Sequence, residues 1–283
     1  MQKSQIKEKL KSAIQIYKKT KDPRVSEVIE HLTKILSTSK SRNSLLDYAK
    51  HVYPGYKDPA HIKLIAKNLE LLEKGEINRL AVFMPPRHGK SMLCSEFFPA
   101  WYLGNNPKEF VIQSTYAQEL ADDFGRKVRN QIASPDFNSV FPQVGLRADS
   151  SSAKRFHTMQ GGTYSAVGAG GAITGRGAHL LIIDDPIKGR EDAESETQRR
   201  NLVEWYKSVA YTRLQPGGKI IIVQTRWHQD DLAGHILAES KEDWKVLDLP
   251  AIDDKGNALW PEAYSKKDLE KIKDTVGQRV WQA

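Results

Sequence analysis

"RLAVFMPPRHGKSM", residues 79–92, decides how the rest of the chain is read. Arg79 to Met84 is a short apolar run of β-prone residues, and "SMLCSEFFPAWYLG" (Ser91 to Gly104) reads as a helix ended by glycine. The loop between them finishes on Gly89-Lys90-Ser91. Strand, loop and helix is the setting of a phosphate-binding loop, G-x-x-x-x-G-K-[ST]. There the glycine lets phosphates approach the backbone, the lysine reaches the β- and γ-phosphates, and the hydroxyl ligates Mg²⁺. A helix N-terminus is itself an anion site. The first glycine of the pattern is missing: Met84 stands there, followed by Pro85 and Pro86. On the tripeptide alone, a proline turn with a chance GKS explains the stretch equally well.

A second stretch shifts the balance. "HLLIIDDPIKG" (His179 to Gly189) is an apolar strand running into two carboxylates. A buried parallel strand delivers such acids to the crevice where ligands bind in open α/β sheets. In nucleotide hydrolases one acid holds Mg²⁺ and the next polarises the attacking water. Asp184 is then the metal carboxylate and Asp185 the catalytic one; an Asp-Asp-Pro turn is the plainer alternative. A third stretch, "IIIVQTRWHQDDLAGHI" (Ile220 to Ile236), places Gln224 and Thr225 at a strand end suited to sensing a γ-phosphate. His228, Asp231 and His235 fall at helical spacing and suggest a metal set, but Asp230 or Asp231 more simply caps the following helix.

Composition fits a globular chain of 283 residues, with room for one large domain or two small ones. No apolar run reaches membrane-spanning length, and the lysine-rich N-terminus lacks the apolar stretch of a signal peptide. The single cysteine, Cys94, excludes an internal disulfide framework, suits a reducing cytoplasm and reads as a small buried thiol. Of the net charge of +8, most belongs to residues 1–42, which hold 11 Lys/Arg against 4 Asp/Glu. Either that arm touches nucleic acid or an acidic partner, or it is a solvated helical face.

Periodicity makes residues 1–42 a basic helical hairpin, closed by a Ser/Lys-rich break at Ser37 to Arg42. Two helices follow, about Leu45 to Tyr53 and Pro59 to Lys74. Strands are expected at Leu80–Met84, Phe110–Ser114, Leu180–Asp184, Lys219–Gln224 and Trp244–Leu249, with helices between several of them. That alternation means an α/β fold, a mainly parallel sheet covered on both faces. A β-hairpin is expected around Gly161-Gly162, then a flexible glycine-rich loop. The units are a 1–42 arm, a 43–250 nucleotide-hydrolysing domain and a 251–283 linker and helix.

Together, "PPRHGKS", "TGRGAHLLIIDDPIKG" and "TRWHQDDLAG", in this order, resemble the large terminase subunit of tailed phages, over roughly Tyr56 to Leu249. Members of that family carry degenerate phosphate-binding loops, so the missing glycine fits. The resemblance implies a RecA-like P-loop ATPase core that uses ATP and Mg²⁺ to drive double-stranded DNA into a procapsid. It further implies a homo-oligomeric ring, portal and small-subunit partners, and a host-cytoplasmic location without membrane attachment. Arg87, His88, Gly89, Lys90 and Ser91 would then bind ATP, with Ser91 and Asp184 on the metal. Tyr56 or His61, upstream of the loop, would contact the base. The family more often has glutamate where Asp185 stands, and Glu191 is the next acid along. The family's nuclease domain would lie beyond this chain, so nuclease activity is not expected here.

A single RecA-like unit must complete its site with an arginine of its own or of a neighbour. Arg87 suits the first role and Arg176, in "TGRGAH", the second; Arg176 acting in trans is the expectation. A superfamily-2 helicase would need a second RecA-like domain after Asp185, for which too few residues follow. A non-catalytic nucleotide-binding scaffold would not need the second carboxylate.

Overall fold

A computed structural model describes residues 3–281 apart from Thr174. Helices α1 (Lys3–Thr20) and α2 (Pro23–Asn43) form the hairpin. Asp22 caps α2 by accepting from the Arg24 amide, and Pro23 occupies a first-turn position that needs no donor. The break expected at Ser37 to Arg42 does not occur, because α2 runs on through it. Ser37 and Thr38 donate their hydroxyls back to the Lys34 carbonyl, both at 2.9 Å. The body also grips the helix end: Trp101 Nε1 donates to Ser41 O at 3.0 Å and Arg42 donates to Val140 O at 2.7 Å. Tertiary contacts outweigh weak propensity at this point.

After α3 (Leu45–Val52) and α4 (Ala60–Glu73) comes one eight-stranded sheet. Its strands are β1 (Arg79–Phe83), β2 (Phe110–Thr115), β3 (Leu146–Ser151), β4 (Arg155–Thr158), β5 (Thr163–Gly168), β6 (Ala178–Asp184), β7 (Leu214–Gln224) and β8 (Lys245–Asp248). The order is β3-β4-β5-β2-β6-β7-β1-β8. From β5 to β8 every pair is parallel, while β3–β4 and β4–β5 are antiparallel. All five strands expected from apolar runs are present. The hairpin around Gly161-Gly162 is β4–β5, with Gly161 in the left-handed region at φ 95°. Strand β3, "LRADSS", has no apolar face and was not anticipated.

Each face of the sheet carries a core layer. On one, α3, α4, α5 (Phe98–Asn105), α6 (Gln118–Ile132) and α7 (Pro135–Val140) bury Tyr48, Leu69, Phe98, Trp101, Val128 and Phe137. On the other, α9 (Glu196–Trp205) and α10 (Leu232–Glu239) cover Leu181, Ile183 and Ile222. Short α8 (Arg190–Glu194) precedes α9, and α11 (Lys266–Val276) and α12 (Gln278–Trp281) end the chain. The architecture is α/β, mainly parallel, and compatible with a RecA-like core. Glycine does not end the helix after the loop: α5 continues to Asn105. Gly104 lies inside it because a Cβ there would come within 2.5 Å of the Phe141 ring.

Helix α1 packs along α2, whereas the end of α2 is hydrogen-bonded into the body. Deleting residues 1–20 is therefore expected to leave the melting temperature of the body nearly unchanged. Deleting residues 1–43 strands the buried Trp101 N–H and is expected to cost about 1–3 kcal/mol or more in denaturant unfolding.

Candidate functional site

The loop leaves β1 at Phe83 and re-enters helix at Lys90. It is held from behind by two histidines. His61 Nε2, on α4, donates to His88 O at 3.0 Å, and His88 Nδ1 donates to Pro86 O at 2.9 Å. Burial holds the His88 imidazole below its ordinary pKa, so it stays neutral. The His88 ring stacks on Tyr264 at 4.8 Å between centroids, and His61 meets Trp260 at 5.7 Å. The chain after the last strand thus backs the loop, a contact no motif announces; two aromatics in the polar run "GNALWPEAY" are its only trace. Two residues of the loop take left-handed backbone, Gly89 at φ 91° and Arg87 at φ 62°. For glycine this is free; for arginine it stores strain, a feature typical of functional turns. The Arg87 side chain is exposed.

Lys90 is 5% exposed, and its ammonium group donates to Thr225 Oγ1 at 2.6 Å and pairs with Asp185 Oδ2 at 3.0 Å. Asp185 Oδ1 also accepts from the Thr225 amide at 2.8 Å, and Asp185 itself has a left-handed φ of 41°. Beneath it Asp184, 1% exposed, receives Ser91 Oγ on Oδ1 at 3.2 Å and Ser95 Oγ on Oδ2 at 2.6 Å. Burial, and then the neighbouring Asp185, push Asp184 up to about 7. Ser91 and Asp184 form a hard-oxygen pair, which fits a Mg²⁺ ion that takes one or two protein ligands and keeps water or phosphate for the rest. Among the described residues no three His, Cys, Asp or Glu side chains form a further metal cluster.

Three adjacent parallel strands thus bring together Lys90, Ser91, Asp184, Asp185 and Thr225 at their C-terminal ends. Among the described residues, none of the remaining expected site residues hydrogen-bonds to these five side chains. Gln224 turns its amide to Asp231 Oδ2 at 2.8 Å, where Arg226 Nε also donates, at 2.8 Å. Asp231 in turn caps α10 through the Gly234 amide, while His235 faces Glu239. Tyr56 is buried edge-on against Phe97. His61 is committed to the loop backbone and Trp260. Arg176 precedes the start of β6, a strand length from Asp184, or roughly 20–25 Å at 3.3 Å per residue. Its loop is tethered by buried Ile173 and by Trp205 Nε1 donating to Gly171 O at 2.9 Å. Glu191 lies on exposed α8. A concavity of about 1160 Å³ lies at the opposite end of the sheet from these groups. Arg79, which lines it, is fully engaged by Glu242, Asn78 O and Gly218 O.

Fold and site define an α/β protein with a lysine, a hydroxyl and two acids gathered at the crevice of an open parallel sheet. Residues 82–283 match the family model of the T4likevirus-type terminase large subunit, N-terminal part, and the chain belongs to that family. No curated protein matches it. Membership points to a role in phage DNA packaging. None of the described helices is long and apolar enough to cross a membrane.

Because Asp184 binds its proton more tightly folded than unfolded, stability should fall as pH rises from about 4 to about 7, then level off. In EDTA, Asp184→Asn is expected to melt above the parent at pH 8. Toward pH 4 the gap should close, as the parent carboxyl becomes neutral too. A gap that is constant with pH, measured by scanning calorimetry, would contradict this account.

Proposed function

We propose that this chain is the ATP-hydrolysing motor part of a DNA-packaging terminase, acting on double-stranded DNA with portal and small-subunit partners. The observation that carries this reading is the convergence of Lys90, Ser91, Asp184, Asp185 and Thr225 on the end of one parallel sheet. The loop keeps the phosphate-contacting half of its pattern, and the backbone donors at the start of the helix suit phosphate oxygens. Ser91 and Asp184 would hold Mg²⁺, which when bound neutralises charge on the phosphates. Lys90 exchanges Asp185 for phosphate oxygen. Asp185, released on that side and still oriented by the Thr225 amide, accepts the proton of the attacking water. Thr225 touches both groups and so suits a sensor of the terminal phosphate.

The arginine that completes the site is, in this reading, Arg87. It is exposed at the tip of the loop and takes left-handed backbone. Arg176 acting in trans is the alternative, since it lies at the far end of β6 from its own chain's acids and could serve only a neighbour's site.

Mg²⁺-dependent phosphate release, with and without DNA, tests the reading directly. Lys90→Ala is expected to lower turnover on the order of 10² to 10³-fold and to weaken triphosphate binding. Asp185→Asn should keep triphosphate binding and lose about 10² to 10⁴-fold in rate. Parent-level turnover in Asp185→Asn would transfer the base role to Glu191.

Arg87→Ala should lose about 10³-fold or more with nucleotide affinity intact. Arg176→Ala, by contrast, should turn over near the parent rate, leaving nothing for added Lys90→Ala chains to rescue. Rescue in that mixture, at concentrations where parent chains associate, would return the role to Arg176 across an interface.

A further inference from the structure

Asp184 has two carboxylate oxygens and two serine donors, and only one of those serines belongs to the loop pattern. Ser95 is the other. It is fully buried, and its hydroxyl lies 2.6 Å from Asp184 Oδ2, closer than Ser91 lies to Oδ1. The helix is not regular here: Met92–Phe97 is wound as a π-helix, with the Phe98 amide donating to Leu93 O, five residues back. Pro99 follows, and it has no amide to offer the Ser95 carbonyl. Such widened turns concentrate at functional sites. This one sets Ser91 and Ser95 on the same carboxylate, one oxygen each.

We propose that Ser95 is a positioning residue for the metal carboxylate. It holds Asp184 Oδ2 so that Oδ1 and the Ser91 hydroxyl present a fixed pair of oxygens to a divalent cation. The proposal rests on the reading of Ser91 and Asp184 as the Mg²⁺ ligands. A ligating carboxylate needs its other oxygen hydrogen-bonded to keep its orientation, and loss of such a partner costs 10- to 100-fold in metal affinity. Ser91 gives its hydrogen to the other oxygen, Oδ1, so of the two serines it is Ser95 that holds Oδ2.

The test is Mn²⁺ binding to the whole chain in the presence of ATP, read by electron paramagnetic resonance as free Mn²⁺ is titrated. Ser95→Ala is expected to weaken Mn²⁺ binding about 10- to 100-fold, while ATP binding in EDTA stays at the parent value. Ser95→Cys, which keeps the shape but donates weakly, should fall between. It also stands in should Ser95→Ala fail to fold. Ser114→Ala, which removes a buried hydroxyl with no partner, is the control and should match the parent. Parent-like Mn²⁺ affinity in Ser95→Ala or Ser95→Cys overturns the proposal, as does an equal loss in Ser114→Ala. Failure of the parent chain to bind Mn²⁺ with ATP would instead remove the metal reading on which it stands.

Discussion

The constraint on which the site depends is a carboxylate kept out of water. Asp184 closes a strand whose other residues are nearly all buried, and it cannot turn outward without unpairing β6 from β7. An unpaired buried charge is expensive, and each missing donor costs about 1–3 kcal/mol. Two hydroxyls from the facing helix meet that demand, so strand and helix are fixed to each other through one side chain. Hydroxyls stabilise the charge less completely than cations do, and the Asp184 carboxyl remains proton-hungry at about 7. A divalent ion would supply what the serines do not. The same burial that makes a charged Asp184 costly to the fold therefore leaves a carboxylate suited to a cation.

Strand order does the rest. Strand β7 lies between the loop strand β1 and the acid strand β6, so the loop and the acids are not hydrogen-bonded neighbours. Thr225, just past the end of β7, fills the gap, receiving Lys90 on its hydroxyl and giving its amide to Asp185. Parallel strands deliver all these groups to one end, and helices on both faces shield the strands beneath. Asp185 bends into left-handed backbone at that edge, which turns its carboxylate back toward Thr225 instead of outward with the chain.

Much of this was legible in the chain. Apolar runs of four to seven residues ending in polar groups give central parallel strands, because both faces must be apolar and only the end meets ligand. Lys90, Ser91, Asp184, Asp185 and Thr225 were all readable for that reason. What escaped depends on contacts that no local pattern encodes. Ser37 to Arg42 looks like a break and is helix because Trp101 and Val140 hold it. Ser95 looks like an ordinary helical serine until its π-turn is seen. Gln224 carries the right side chain at the right strand end, yet its amide is taken by Asp231. Tyr56 and His61 lie near the loop in sequence and pack behind it in space.

Strand β1 is made early, but both of its partners, β7 and β8, come from residues 214–248. On a ribosome, the five buried residues from Arg79 to Phe83 must wait for most of the protein to emerge before either edge is satisfied. Contacts of such long sequence separation slow folding and leave an apolar segment open to aggregation meanwhile. The loop that follows β1 therefore cannot mature as a local unit. It takes shape only with the closing of the sheet around it, and an N-terminal fragment that stops short of β7 holds the motif without the means to use it.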